Sequence, residues 1–252
     1  MRNFYSLFFL FLLLLSGRLH AEGASPQLIF REANSAYRTG NYSKASSLYE
    51  SLTQKEEGRE AGVFYNLGNA HFKEGHLGLA ILNYEKAKRL RPRDPDISAN
   101  LKYARSLLEY QIEDKRNWYL KVAEALLGSF TEREIGIINL TLGLLFWTAW
   151  LVCLYFRPPS VWGWKRKTLL VLMLVSLSLW VLKGVDERQL PEAIVLKAEA
   201  PVRYGPSYKD RMAFRLGEGM KVRIHKKEGE WSRVVLVNGE TGWMFHEDMA
   251  EV

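Results

Sequence analysis

The chain has 252 residues, of which 48% are hydrophobic, and a formal net charge of +7. Its single cysteine, Cys153, lies inside an apolar run, which excludes an intrachain disulfide and a thiolate metal site. The positive excess does not describe a nucleic-acid module: residues 192–252 balance ten basic with ten acidic side chains, while Arg157, Lys165, Arg166 and Lys167 crowd one short segment without an acid.

At the N-terminus, Arg2 precedes an apolar stretch over 4–15 interrupted only by Ser6, followed by Ser16, Gly17 and Leu19-His20-Ala21. A charge, an apolar block and small residues in that order predict a secretory signal over 1–21, cut after Ala21. Leu19 is bulkier than the residue usual at that spot, which leaves an uncleaved anchor open.

Residues 26–94 carry a helical repeat. In 61–94, Phe64, Leu67, Gly68, Gly75, Ala80, Tyr84, Ala87 and Pro92 fall at positions that resemble a tetratricopeptide repeat. Gly68 and Ala80 are small where two antiparallel helices would touch, Gly75 ends the first helix, and Pro92 stops the second because its ring cannot continue a helix. The preceding segment repeats the pattern more weakly through Ala33, Ala36, Gly40, Ala45 and Tyr49, with Asn41-Tyr42 at the turn and the slack in 55–60. A third helix starts at Asp94-Pro95-Asp96 and runs to about residue 115, with Ile97, Leu101, Ala104, Leu107 and Leu108 on one stripe. Together with a juxtamembrane helix it fills 95–130 as a cap on the last repeat.

The resemblance implies a concave groove lined by the first helix of each repeat. Its candidate protein-binding residues are Asn34, Tyr37, Arg38, Tyr65, Asn66, Asn69, Phe72 and Lys73, with Phe30 beside them. Tyr65 and Lys73 are expected to face the groove rather than the repeat core. Some relatives clamp a peptide carboxylate with lysines, an arginine and two asparagines. Asn34 and Asn66 match the asparagines, but Phe30 stands where a lysine would, and Asp96 has the wrong sign. A generic aromatic and polar groove is the reading favoured here, against the alternative that Phe30, Tyr37 and Phe72 merely pack between repeats. The basic run Lys86, Lys88, Arg89, Arg91 and Arg93 ends a helix, where cations offset the macrodipole.

Two apolar runs follow. Residues 134–156 are apolar from Ile135 onward except for Asn139, Thr141 and Thr148, and 168–185 form a shorter run with Lys183 near its end. A helix needs about 20 apolar residues to cross a bilayer, so two transmembrane helices are expected. The basic residues in the 157–167 loop would hold it in the cytoplasm, and Trp162, Trp164 and Trp180 suit the interfaces. Both soluble parts would then lie on the outer side of a bacterial inner membrane, in the periplasm.

From residue 192 the texture becomes that of short strands, with Asn238-Gly239 as a hairpin turn. The elements Val202-Arg203, Gly205-Pro206-Ser207, Leu216-Gly217-Glu218-Gly219, Glu230-Trp231-Ser232-Arg233-Val234 and Asn238-Gly239-Glu240-Thr241-Gly242-Trp243 resemble the bacterial SH3 family over 192–252. The fold class expected is thus an all-α tetratricopeptide solenoid, a two-helix transmembrane hairpin and a small all-β SH3-like barrel. Tyr204, Tyr208, Trp231 and Trp243 are candidates for an aromatic groove on that barrel, against the alternative that Trp231 and Gly242-Trp243 are core, which is the reading favoured for Trp231.

No Ser-His-Asp, Cys-His or paired-carboxylate arrangement is anchored by a motif, so no enzyme is expected. The histidines His20, His71, His76, His225 and His246 are scattered, and His71 and His76, five apart, read as different faces of a helix. No metal and no cofactor are expected. The whole order, with the helix Ala99-Asn100-Leu101-Lys102-Tyr103-Ala104 and the segment Gln111-Ile112-Glu113-Asp114-Lys115 after the repeats, resembles a component of the Bacteroides aerotolerance (Bat) family. That resemblance implies a scaffold for membrane proteins with von Willebrand A domains and, indirectly, a MoxR-type ATPase. The alternative is an envelope sensor or cell-wall binder that uses the SH3-like part on peptidoglycan.

Overall fold

A computed structural model describes residues 25–54, 58–109, 112, 114, 116–156, 162–189 and 191–252. The expected signal over 1–21 and the first residues of the expected 157–167 loop lie outside them. Five helices form the first part: α1 (Pro26–Arg38), α2 (Tyr42–Thr53), α3 (Ala61–Glu74), α4 (Leu77–Leu90) and α5 (Pro95–Ser106), each packed on the next.

The chain marks their ends with local chemistry. Ser25, Asn41 and Asp94 each accept a hydrogen bond from the first turn they precede, and Pro26 and Pro95 open helices where a missing N–H costs nothing. Gly75 closes α3 at φ 85°, a left-handed conformation that strains any residue with a Cβ. Small residues set the spacing: a Cβ added to Gly68 would come within 2.7 Å of the Tyr84 ring. Ala33, Ala36, Ala45, Tyr49, Leu52, Val63, Leu67 and Ala70 make the core of α1 to α3. The helix expected to reach residue 115 stops at Ser106.

After α6 (Trp118–Gly128) come two long helices, α7 (Glu132–Phe156) and α8 (Trp162–Gln189). They pack along one another, and Asn139 Nδ2 on α7 donates to the Ser176 carbonyl on α8 at 3.3 Å. Within α7, Glu132–Val152 spans 21 residues with a mean hydropathy of 1.9, is only 6% buried, and is long and apolar enough to cross a membrane. Helix α8 begins at Trp162, before the basic residues assigned to the loop. Lysine and arginine are good helix formers, so nothing there delays the helix to residue 168.

The last part is one antiparallel sheet of strands β1 (Glu192–Val195), β2 (Glu199–Arg203), β3 (Met212–Gly217), β4 (Lys221–Glu228), β5 (Trp231–Val235), β6 (Thr241–Phe245) and β7 (Met249–Glu251), in the order β3-β2-β6-β5-β4-β1-β7. All seven strands or their ends contribute to a single core around Val202, Val222, Val234 and Met244, so the sheet curls around its own apolar face in an SH3-like domain. Strands β3 and β7 have no counterpart in the sequence reading. Strand β7 is only three residues long, and β3 carries Arg215 in its middle, which masks an alternating pattern.

The sheet docks on the helices. Ile194 of β1 is fully buried with Ala80, Ile81, Leu82 and Tyr84 of α4 and Leu101 and Ala104 of α5. Glu218, in the β3–β4 turn, accepts a 2.6 Å hydrogen bond from the Gly78 N–H in the first turn of α4. Lys221 on β4 lies 2.6 Å from Glu192 and 3.6 Å from Glu85 of α4, which also pairs with Arg105 of α5. Burial pushes the Glu192 carboxyl up, but Lys221, Arg223 and Arg89 outweigh it and hold the group below its usual range. Arg89 donates to the Val252 carbonyl at 2.8 Å. Ile194→Ala should therefore lower the stability of the full chain by about 2–5 kcal/mol, as a buried Leu/Ile truncation does. Denaturant unfolding is the measurement; an unchanged midpoint would mean that the docking contributes nothing.

Candidate binding surfaces

Among the candidate groove residues, the structure separates struts from free side chains. Asn34 Oδ1 accepts from Tyr49 Oη at 2.7 Å and from Asn66 Nδ2 at 3.2 Å. One hairpin further along, Asn69 Oδ1 accepts from Tyr84 Oη at 2.7 Å and from Asn100 Nδ2 at 3.0 Å. Asn34 and Asn69 are thus equivalent acceptors in successive hairpins. Asn66 and Asn100 of α5 are the equivalent donors to them. Burial raises the pKa of both phenols, Tyr49 to about 12, so they stay protonated as donors.

Tyr65 is not a groove side chain that can be cut away. Its hydroxyl accepts from Asn100 at 2.9 Å, its ring lies 6.0 Å from Tyr84, and it packs on the clusters around Tyr84 and Ala87. Asn100 comes from α5, so the hydrogen bond ties the half-buried Tyr65 to the next helix of the stack. Phe72 stacks at 5.7 Å on the exposed Tyr103 of α5, and Tyr37 meets Tyr42 edge to face at 5.3 Å. Arg38 and Lys73 are exposed, so they are the charged groups this surface offers a partner.

On the SH3-like domain the outer face of β5 and β6 is aromatic. Trp231 pairs with Phe245 across the strands, and Arg233 pairs with Trp243. Tyr208, 64% exposed, covers Trp231 at 5.0 Å and Phe245 at 5.8 Å. Trp231 is only 7% exposed, but it is buried under these rings rather than in the inner core, because Ser232 and Val234 take the inward positions of its strand. Trp243 lies apart from Tyr208, opposite Arg203 and with Lys226 Nζ 6.0 Å from its ring centroid. Tyr204 is exposed. The patch therefore consists of Tyr208, Trp231 and Phe245, flanked by a cationic edge at Trp243. Trp231 thus belongs to the aromatic face, the less favoured of its two readings, and Phe245 is the addition; period-2 alternation from the inward Val234 and Met244 points to both.

A third cluster overturns an expectation. The helix ends at Glu74, and the left-handed Gly75 turns the chain so that His76 folds back toward His71, with ring centroids 6.0 Å apart. The two residues share one side of the α3–α4 turn rather than different faces of a helix.

The family model described as Bacterial SH3 domain matches residues 196–247, within the sheet. No curated protein matches the chain. The C-terminal part is a bacterial SH3 domain that follows a helical region. From the strut geometry, Asn69→Ala should cost about 1–3 kcal/mol by stripping Tyr84 and Asn100 of their acceptor, whereas Lys73→Ala should stay within about 0.5 kcal/mol of the parent. Thermal unfolding of the two variants checks this, and equal midpoints would refute the strut assignment.

Proposed function

We propose that this chain is a non-enzymatic, membrane-anchored adaptor of the bacterial envelope, with a tetratricopeptide-type helical stack and an SH3 domain that bind protein partners outside the cytoplasm. The observation that carries the reading is the docking of β1 on α4 across the intervening α7 and α8. A single crossing would put the helical stack and the sheet on opposite faces of a membrane and tear this contact open. With α7 as one crossing, α8 supplies the other, and Arg157 in sequence together with Lys165, Arg166 and Lys167 in the first turns of α8 assigns that end of the hairpin to the cytoplasm. The exposed Leu140, Leu144, Trp147 and Leu151 of α7 and Val171, Leu172 and Val175 of α8 suit a lipid environment.

The recurring Asn–Tyr struts, one set per hairpin, support the tetratricopeptide reading. The resemblance to the BatE component of the Bat family then supplies the partner class: membrane proteins with von Willebrand A domains and, through them, a MoxR-type ATPase. The role would lie in aerotolerance or envelope stress. No cofactor enters this reading.

A second reading rests on the Tyr208–Trp231–Phe245 patch, which fits flat or aliphatic groups of cell-wall material. Two measurements decide. A reporter that fluoresces only in the cytoplasm, fused after Val252, should stay dark; a bright fusion rejects the two-pass topology. The Arg38→Glu/Lys73→Glu variant should fold as wild type and lose co-purification of von Willebrand A partners about tenfold or more, while Tyr208→Ala retains it. The opposite pattern, with Tyr208→Ala losing retention on sacculi, favours the wall-binding reading.

A further inference from the structure

Where α2, α3 and α4 meet, four side chains with metal-binding chemistry converge. His71 Nδ1 lies 3.2 Å from Glu74 Oε2, and His76 Nδ1 lies 3.8 Å from the same oxygen. The three ligand atoms fall within 4.8 Å of one another. Zn²⁺ takes nitrogen and carboxylate donors at about 2.0–2.2 Å in a tetrahedron, which separates ligand atoms by about 3.3–3.5 Å. The observed separations bracket that edge, so small side-chain rotations suffice. We propose that His71, Glu74 and His76 form a Zn²⁺ site at the α3–α4 turn, with Glu50 of α2 holding His71 from behind.

The surroundings are those of a supported site rather than a chance surface cluster. His71 is 4% exposed, and its second nitrogen, Nε2, faces Glu50 Oε1 at 3.4 Å. A carboxylate there fixes the proton on Nε2 and aims Nδ1 at the cation, the usual outer-shell role. The Ser46 hydroxyl, also buried, donates to Glu74 Oε1 at 3.3 Å and leaves Oε2 for the metal. The His76 side chain is 59% exposed and completes the rim. Three protein ligands leave a fourth position for water or an incoming group. Two imidazoles and one carboxylate select a borderline cation over Mg²⁺ or Ca²⁺, which prefer oxygen donors throughout. A bound ion would tie the last turn of α3 to the start of α4 and, through Glu50, to α2.

The test uses the full chain in detergent, purified through a tag without histidine and stripped with a chelator, with Zn²⁺ alone as titrant. One Zn²⁺ per chain is expected, together with a rise in the unfolding temperature. Co²⁺ in its place should give the visible absorption of a four-coordinate ion. His76→Ala should bind at least tenfold more weakly, and Glu50→Gln about tenfold more weakly as an outer-shell change. His225→Ala should match wild type. The His76 side chain makes no capping hydrogen bond to α4, so its removal leaves the helix start intact, and circular dichroism verifies that. Absence of binding by wild type, or a loss of less than tenfold in folded His76→Ala, overturns the proposal.

Discussion

Between Gly78 and Ala87, helix α4 gives one flank to α3 and α5 and another to the bacterial SH3 domain, and only its last turn, at Arg89 and Leu90, is exposed. An amphipathic helix on the outside of a stack would carry one apolar stripe. Here Ala80, Tyr84 and Ala87 meet the helices while Ile81 and Gly78 meet the sheet, so the apolar residues encircle the helix. Even its polar residues are committed. Asn83 returns a hydrogen bond to the Leu79 carbonyl at 2.8 Å, and the buried Glu85 lies between Arg105 and Lys221. Burying such charges costs desolvation that pairing only offsets, so these pairs contribute more to register than to stability. They fix which residue of β4 meets which turn of α4.

This docking governs how the chain is organised around its long hairpin. The segment from α6 to α8 lies between two parts that touch each other, so it is an excursion rather than a linker. Its base is tied on both sides: Arg223 of β4 lies 3.3 Å from Glu124 of α6, and Arg93, just past α4, pairs with Glu134 at the start of α7 and lies over Phe130 at 5.4 Å. Isolated, each exposed pair is worth little. Their value here is geometric, because they set the direction in which the hairpin leaves a body whose own shape is fixed by α4.

Much of this was legible in the chain. Helix starts at Pro26 and Pro95 and the stop at Gly75 follow from backbone chemistry that acts within one turn, and the strand pattern of the C-terminal part follows from alternation. What could not be read depends on contacts far apart in sequence. Ile194 reads as an ordinary strand residue and Ile81 as an ordinary helix residue; only their meeting makes both fully buried. The packing role of Tyr65 is hidden for the same reason, since the side chain that donates to its hydroxyl, Asn100, comes from another helix. His71 and His76 were separated because a helical period was carried one residue too far, across a glycine that had already been read as the helix end.

The short turn at Gly75-His76-Leu77 shows how the two sets of contacts share one element. A helix start ordinarily satisfies its first N–H groups with a Ser, Thr, Asp or Asn side chain at the N-cap. Helix α4 has His76 there, which makes no such bond, and Glu218 of the SH3 domain supplies the carboxylate instead, through the Gly78 N–H. A negative charge at a helix N-terminus is favourable for the dipole as well as for the hydrogen bond. The domain contact thus replaces a local cap with a distant one. Position 76 is released from capping, and its imidazole can turn back toward Glu74 and His71. An aspartate at 76 would cap α4 from within and take over this one hydrogen bond from the SH3 domain, leaving the apolar docking of Ile81 on Ile194 unchanged. With histidine there, the start of α4 depends on the domain that docks against it, so order at this turn and order at the domain contact rise and fall together.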